Sequence, residues 1–273
     1  MNKLLGCAVA GLSLLGNAMA ADLDEIKSRG TLRVAVASLS PFVISDDEGN
    51  LRGFEIDSTT GLGEHLGVDI EYIEKPFCEL ADAVLEGEAD IIASGYSNMA
   101  WRRRLLDFSL PYHDTEYFVV VAKKVAKRAR TVRGLNRKDI KIAYQEGGVS
   151  GEVAKGEFPG ADLTPFSSFT QIVEALEDGS VDGAVMFEPY LEVAKDIKSR
   201  KYVIPHEYAL TRTIEAFAVD QNSEELRMAL NEWVMAQDLE GYWDELEKTW
   251  FSSENMVVSA PPPYRCPSMI AVQ

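Results

Sequence analysis

Histidine and cysteine are scarce in this chain, three of each in 273 residues. His65, His113 and His206 lie far apart and lack zinc-ligand spacing, so no metal centre or cofactor is expected, and all three read as ordinary structural or surface histidines. No Gly-x-Ser-x-Gly element occurs, which leaves nucleophilic catalysis poorly supported. Positive charge is also short: 27 Lys and Arg face 44 Asp and Glu, a formal net charge of −17. That balance repels polyanions and argues against nucleic acid or an anionic membrane surface as the main partner. After residue 20, no run approaches the ~18 apolar residues of a membrane helix.

What is present begins with an apolar leader. Lys3 is the only charge before Asp22, Leu4 to Leu15 is apolar with small residues, and Ala18-Met19-Ala20 offers a small-x-small cleavage site. Residues 1–20 are therefore expected to be a secretory signal peptide cut after Ala20, which places the mature protein in the periplasm with a charge of −17 − 1 = −18. Leu4-Leu5-Gly6-Cys7 imitates a lipoprotein box, but almost nothing apolar precedes it. With Cys7 removed, Cys78 and Cys266 remain as an even pair in an oxidising compartment. A disulfide between them would tie the tail containing Pro261-Pro262-Pro263 to the body.

Along the chain, strand and helix patterns alternate, which points to an α/β fold. The pattern predicts a short helix at residues 22–28, strands at 32–36 and 68–73, and an extended segment at 51–56. It also predicts helices at 58–66 and 80–85, and a strand from Asp90. The helix–acid–Gly–x–x–Asp–strand unit around Gly87 and Asp90 recurs around Gly179 and Asp182, both pairs 92 positions apart. Two lobes of similar plan give that spacing. Extended runs at 117–121 and 216–219 and helices at 226–237 and 242–250 complete the pattern, with Asn222 as the expected cap of the first of these helices. The predicted architecture is a two-lobe fold: residues 21–117 and 217–273 form a discontinuous lobe 1, and residues 118–216 an inserted lobe 2. A cleft between them closes by hinge motion. Lys123 to Lys141 holds nine of the 27 basic residues; it reads as a solvated connector, or else as a docking patch for an acidic partner.

One ordered set of segments carries a family resemblance: Gly30-Thr31-Leu32-Arg33-Val34-Ala35, Pro41-Phe42, Gly53-Phe54-Glu55-Ile56-Asp57, Asp90-Ile91-Ile92, Arg102, and Asp107-Phe108-Ser109-Leu110-Pro111-Tyr112. From about Ile26 to Trp250 the chain resembles the family 3 periplasmic solute-binding proteins, which capture amino acids and related polar solutes for ABC importers. The resemblance implies the type II periplasmic binding protein fold, a monomer, and Arg102 as the ligand arginine, which holds a carboxylate through two parallel hydrogen bonds. It further implies that Ser97 binds the ligand's polar head, that Gly95 contributes backbone contacts, and that Phe77 stacks on the ligand. In lobe 2, Gly147 to Gly151 precedes a helix and offers N–H groups, Val149 among them, together with the Ser150 hydroxyl to an anion.

Departures from the family pattern bear on the ligand. Where amino-acid binders usually carry an aspartate for the α-ammonium, this chain has Phe187, followed by Glu188. Either Glu188 takes over that role, or the ligand need not carry an α-amine. Met99 stands in place of a family threonine, and Leu39 where an aromatic often completes the ligand sandwich.

The expected function is a non-enzymatic receptor that binds a small carboxylated solute and docks on a membrane permease. Two alternatives differ in class. One is a dehydratase of cyclohexadienyl acids; its acid would fall at Tyr190 here, leaving Glu188 as the candidate. The other is an accessory or sensory protein that partners another periplasmic protein, such as a dehydrogenase.

Overall fold

The structure, a computed structural model, describes residues 23–251 except 47, 130, 198–200 and 206–207. His206 and Cys266 fall outside the described residues, as do the leader and the tail.

Two main sheets organise the chain. In the first, Thr31–Val36 lies between Asp69–Glu74 and Ile91–Ile92, both parallel to it, and Ala218–Asp220 runs antiparallel between Ile91–Ile92 and Leu106–Phe108. The second contains Tyr202–Val203, His113–Ala122, Gly183–Phe187, Lys141–Gln145 and Asp162–Phe166 in that order, with Thr211–Glu215 also paired to His113–Ala122. Gly183–Phe187 is buried along its whole length. That burial is why it reads as a continuous apolar run rather than an alternating one.

The chain passes from the first sheet to the second between Phe108 and His113, and returns between Glu215 and Ala218. The two crossings pair antiparallel with each other, with Thr211 opposite Tyr117 and Glu215 opposite His113. This is the two-lobed α/β architecture of type II binding proteins.

The 92-residue repeat has a concrete physical basis. Gly87 and Gly179 both take the left-handed conformation, at φ 72° and 73°, which a residue with a Cβ adopts at a cost. Each following aspartate then braces the strand beside it. Arg33 N donates to Asp90 Oδ2 at 2.8 Å while Asp90 N donates to Arg33 O at 2.9 Å. Lys141 N donates to Asp182 Oδ2 at 3.2 Å while Asp182 N donates to Lys141 O at 2.9 Å. Asp90 additionally pairs with Arg29 and Arg33 at 2.5 and 2.6 Å.

Several sequence boundaries are corrected. The extended pattern at 51–56 ends at Arg52, and a helix runs from Phe54 to Leu66. The reason is tertiary: the carbonyls of Pro41 and Phe42 accept from Phe54 N and Glu55 N, N–H groups that open a helix without an intrahelical partner. Gly53 makes the approach possible, because an added Cβ would sit 2.4 Å from Phe42 O. The extended run at 216–219 is displaced to Ala218–Asp220. The helix predicted at 226–237 spans Glu224–Glu240 and stops at Gly241, φ 72°. Its N-cap is Ser223, not Asn222, whose side chain turns back to Asp220. The helices at Leu80–Leu85 and Tyr242–Trp250 match the expected spans. In the basic stretch the Lys and Arg side chains described are exposed, while Val125, Ala129, Leu135 and Ile140 are buried.

The two braces differ in burial, which yields a prediction. Removing one partner of a buried ion pair costs about 3–5 kcal/mol, and the partial exposure of Arg29 and Arg33 reduces this. Asp90→Ala should lower the urea-unfolding free energy by about 2–3 kcal/mol, whereas Asp182→Ala, facing an exposed lysine, should cost under about 1 kcal/mol. Equal losses at the two positions would contradict the assignment.

Candidate functional site

Arg102 is the largest side chain in the fully buried set, 1% exposed. It begins a short 3-10 turn, Arg102–Arg104, that connects Ile91–Ile92 to Leu106–Phe108 of the first sheet. The face of its guanidinium stacks on aromatic rings: Tyr96 at 3.7 Å, Trp101 at 5.0 Å and Phe77 at 5.5 Å from ring centroid to Cζ. The edge is held by carbonyls. Nη1 donates to Ser97 O at 2.9 Å, and Nη2 donates across the cleft to Gly147 O at 3.3 Å. Nε is buried and has no hydrogen-bond partner among the described residues. No ion pair among the described residues includes this guanidinium. A permanently charged group in such a place favours an anion, and the edge formed by Nε and Nη2 has the geometry of a carboxylate clamp.

Ser97 adjoins the guanidinium from the other side. Its Oγ donates to Glu215 Oε1 at 3.0 Å, and Thr213 Oγ1 donates to the same oxygen at 3.0 Å. Glu215 is the last residue of the returning crossing strand, and its backbone bridges to Ser97. Phe77 lies at the rim, its ring 5.8 Å from that of Tyr96. Cys78 beside it is disulfide-bonded, while its expected partner Cys266 lies outside the described residues. Across the cleft, Gly147 takes φ 76° and packs against Cys78, where an added Cβ would stand 3.0 Å from the Cys78 Cβ.

Other expected residues are placed differently. Gly95 N is occupied, donating to Glu55 Oε1 at 2.7 Å. Its glycine is required by φ 57° and by the Phe42 ring, 2.7 Å from where a Cβ would sit. The Ser150 hydroxyl is committed within its own loop, accepting from Gln145 N at 2.9 Å. The Val149 and Ser150 N–H groups stand at the start of the Val149–Glu157 helix, where backbone donors lack an intrahelical partner. Phe187 is 1% exposed and packs among Phe42, Tyr117, Phe169 and Tyr190. Glu188 is exposed, and its charged neighbours are Glu116, Asp114 and Arg212 on the crossing strands. It is therefore not grouped with Arg102. Leu39 is buried, and its backbone bridges to Val43.

Sequence reasoning missed Tyr96, Glu55 and Glu215. Tyr96 was discoverable as the aromatic between two expected site residues. Glu55 lies in the Gly53–Asp57 segment, where nothing local assigns its carboxyl a role. Glu215 had no local signal among the chain's many acids.

The two buried carboxyls share a property. Burial pushes Glu55 up to about 7, against opposing hydrogen bonds from Gly95 N and the Tyr112 hydroxyl. Burial likewise pushes Glu215 up to about 7, opposed by hydrogen bonds from Ser97, Thr213 and Thr115. His113, buried beside Phe42 and Phe54, is pushed down to about 4. A carboxyl with a raised folded-state pKa adds stability at pH values below its unfolded pKa, and that stability is lost as pH rises through the folded value. The window for Glu55 and Glu215 thus runs from 4.5 to about 7. Depressed His113 acts with the opposite sign between 6.5 and about 4. Glu55→Gln leaves His113 titrating as before and should flatten the fall of stability with rising pH by up to about one proton in the linkage slope. Urea titrations between about pH 5 and 8 measure it, and an unchanged slope would show Glu55 ionised throughout.

The L-cystine-binding protein TcyJ of Escherichia coli (strain K12) is 23% identical over 255 residues, covering 93% of this chain and 95% of its own. Among solved structures, the ancestral amino-acid-binding protein AncCDT-1, a precursor of cyclohexadienyl dehydratase, is 30% identical with a TM-score of 0.76, covering 84% of this chain and 99% of its own. A mutant of ArgBP from T. maritima is 27% identical with a TM-score of 0.74, covering 85% and 99%. The family model for bacterial extracellular solute-binding proteins, family 3, matches residues 32–253, and the chain belongs to that family.

Proposed function

We propose that this protein is a periplasmic receptor that captures a small carboxylated solute, an amino acid or a close relative, and presents it to the permease of an ABC importer. The observation that carries the reading is the buried Arg102 guanidinium, packed on aromatic rings, with Nε unpartnered and Nη2 reaching a carbonyl of the other lobe. A carboxylate bound there would touch lobe 1 through Arg102 and lobe 2 through the Val149–Glu157 helix start. Ligand binding and lobe closure would thus be one event. The relatives point the same way, being named for cystine, amino acids and arginine.

In this reading residues 21–117 and 217–273 act as one lobe and residues 118–216 as the other. A signal peptide cleaved after Ala20 delivers the protein, and it works as a monomer. No helix of the described residues is long and apolar enough to cross a membrane. A dehydratase needs a carboxyl in the cleft at the place of Tyr190 or Glu188. Tyr190 is instead packed on Phe169 and Phe187, and Glu188 is exposed. A receptor fits this site better than an enzyme.

Isothermal titration against amino acids and simple carboxylates tests the reading. Each hydrogen bond from a guanidinium to a carboxylate is worth about 1.5–3 kcal/mol, so losing two should weaken binding by about 10² to 10⁴-fold in Arg102→Ala, with the far-UV circular dichroism unchanged. Unchanged affinity would remove Arg102 from the site.

A further inference from the structure

The charge of this chain is divided unevenly between its lobes. Residues 118–216 hold 15 Lys and Arg against 14 Asp and Glu, a balance of +1, whereas the rest of the chain after residue 20 holds 11 against 30, a balance of −19. The positive charge of lobe 2 gathers in one place. The eight Lys and Arg side chains described between Lys123 and Lys141 are all exposed. Lys201 joins them, itself exposed and with its carbonyl accepting from Lys123 N at 2.7 Å.

This cationic stretch forms the end of lobe 2 that lies away from the cleft. It leaves the last residue of His113–Ala122 and enters the first of Lys141–Gln145. Gly183, the first residue of Gly183–Phe187, pairs with Val121 and Ile142 beside it. Phe187 and the Gly147 loop stand at the opposite ends of these strands, about 13 Å away for four residue steps. The stretch is an ordered surface and not a loose connector. Val125, Ala129, Leu135 and Ile140 are buried beneath it, Gly134 N donates to Thr131 Oγ1 at 3.1 Å, and Gly160 N donates to the Asn136 side chain.

Acids are outnumbered at this end. Asp139 takes Arg137 at 2.9 Å and Arg128 at 4.0 Å. Asp182 is 3.8 Å from Lys124 and already braced on Lys141 N. Glu157, Asp162 and Asp178 add acids where the strand Asp162–Phe166 opens and the helices Val149–Glu157 and Phe169–Asp178 close. Lys123, Lys127, Arg133, Lys138, Lys141 and Lys201 belong to no ion pair among the described residues.

Two features decide what such a surface fits. Protein interfaces are built round an apolar and aromatic centre and are poor in lysine, yet no exposed large apolar side chain is described between Lys123 and Lys141. Charge without an apolar centre suits a partner whose own charge is spread over an extended plane, as in the headgroup layer of an anionic bilayer. The bulk acidity of the protein does not oppose this. At physiological ionic strength, exposed charges more than ~8 Å apart are largely screened, so the basic end reaches such a plane before the acids of lobe 1 are felt.

We propose that this basic end of lobe 2 is a peripheral docking surface for an anionic phospholipid bilayer, a partner secondary to the solute. Lobe 1, at −19, turns away from the bilayer while the basic end turns toward it. That orients the receptor at the membrane and leaves the Gly147 loop and Phe187 clear of the headgroups.

The test is vesicle co-sedimentation of the chain from Ala21 onward. Vesicles of equimolar phosphatidylglycerol and phosphatidylcholine should bind it and phosphatidylcholine vesicles should not, with the partition coefficient falling at least about tenfold between about 0.01 and 0.15 M salt. The triple variant Lys127→Glu/Arg133→Glu/Lys138→Glu should lose at least about tenfold in partitioning with its far-UV circular dichroism unchanged. A control with the same charge change on lobe 1, Lys27→Glu/Arg104→Glu/Lys248→Glu, should stay within about twofold of wild type. Should the first triple not fold, Gln at the same three positions should give a smaller loss in the same direction. No binding to the anionic vesicles at low salt, equal binding to neutral ones, or equal losses in the two Glu triples overturns the proposal. So does binding of poly-L-glutamate or inorganic phosphate without vesicle binding, which would assign the basic end to an acidic protein or to a single anion. None of these outcomes touches the Arg102 clamp.

Discussion

A guanidinium that cannot lose its charge, set between two sheets and away from water, is the constraint around which this molecule is arranged. Burying an unpaired ion is costly, and the fold reduces the cost by several partial measures. Aromatic rings cover its face, a carbonyl from each lobe holds an edge nitrogen, and one nitrogen is left for an outside partner. None of these neutralises the charge.

Glu55 performs the corresponding task inside the first lobe. Its carboxyl receives Gly95 N and the Tyr112 hydroxyl, and its own backbone N–H donates to Phe42 O. Three segments distant in sequence thereby meet at one side chain: the helix start at Phe54, the loop before Ser97, and the exit toward the second sheet. The site's position relative to the crossing strands is set from behind by this buried acid. Phe42 adds a steric limit, since its ring occupies the space a side chain at Gly95 would need.

The fold was largely legible in the sequence because its signals are local and repeated. Alternating strand and helix periods, a glycine after each repeat helix and an aspartate three residues later report directly on backbone conformation and on the neighbouring strand. Arg102 was legible through the ordered family motifs. Helix starts were less so. Phe54 begins a helix because carbonyls from residues 41 and 42 satisfy it, a contact that no window around residue 54 can display. Glu215 was hidden for the same reason, since its meaning comes from Ser97, over a hundred residues earlier. Ser150 and Gly95 illustrate the reverse case: residue types suited to ligand contact whose polar groups are already engaged by Gln145 and Glu55.

The two chain crossings between the sheets are hydrogen-bonded to each other along Thr211–Glu215 and His113–Tyr117. Two separate tethers would let the lobes twist, slide and open in several directions. A laced ribbon resists shear along its length and resists splaying of its strands, and it flexes readily only out of its own plane. Relative motion of the lobes then reduces to about one degree of freedom, a bend along a fixed path. The open and closed forms become the two ends of a single coordinate, and a cargo that fits the closed end can be judged by how far along that path it lets the ribbon bend.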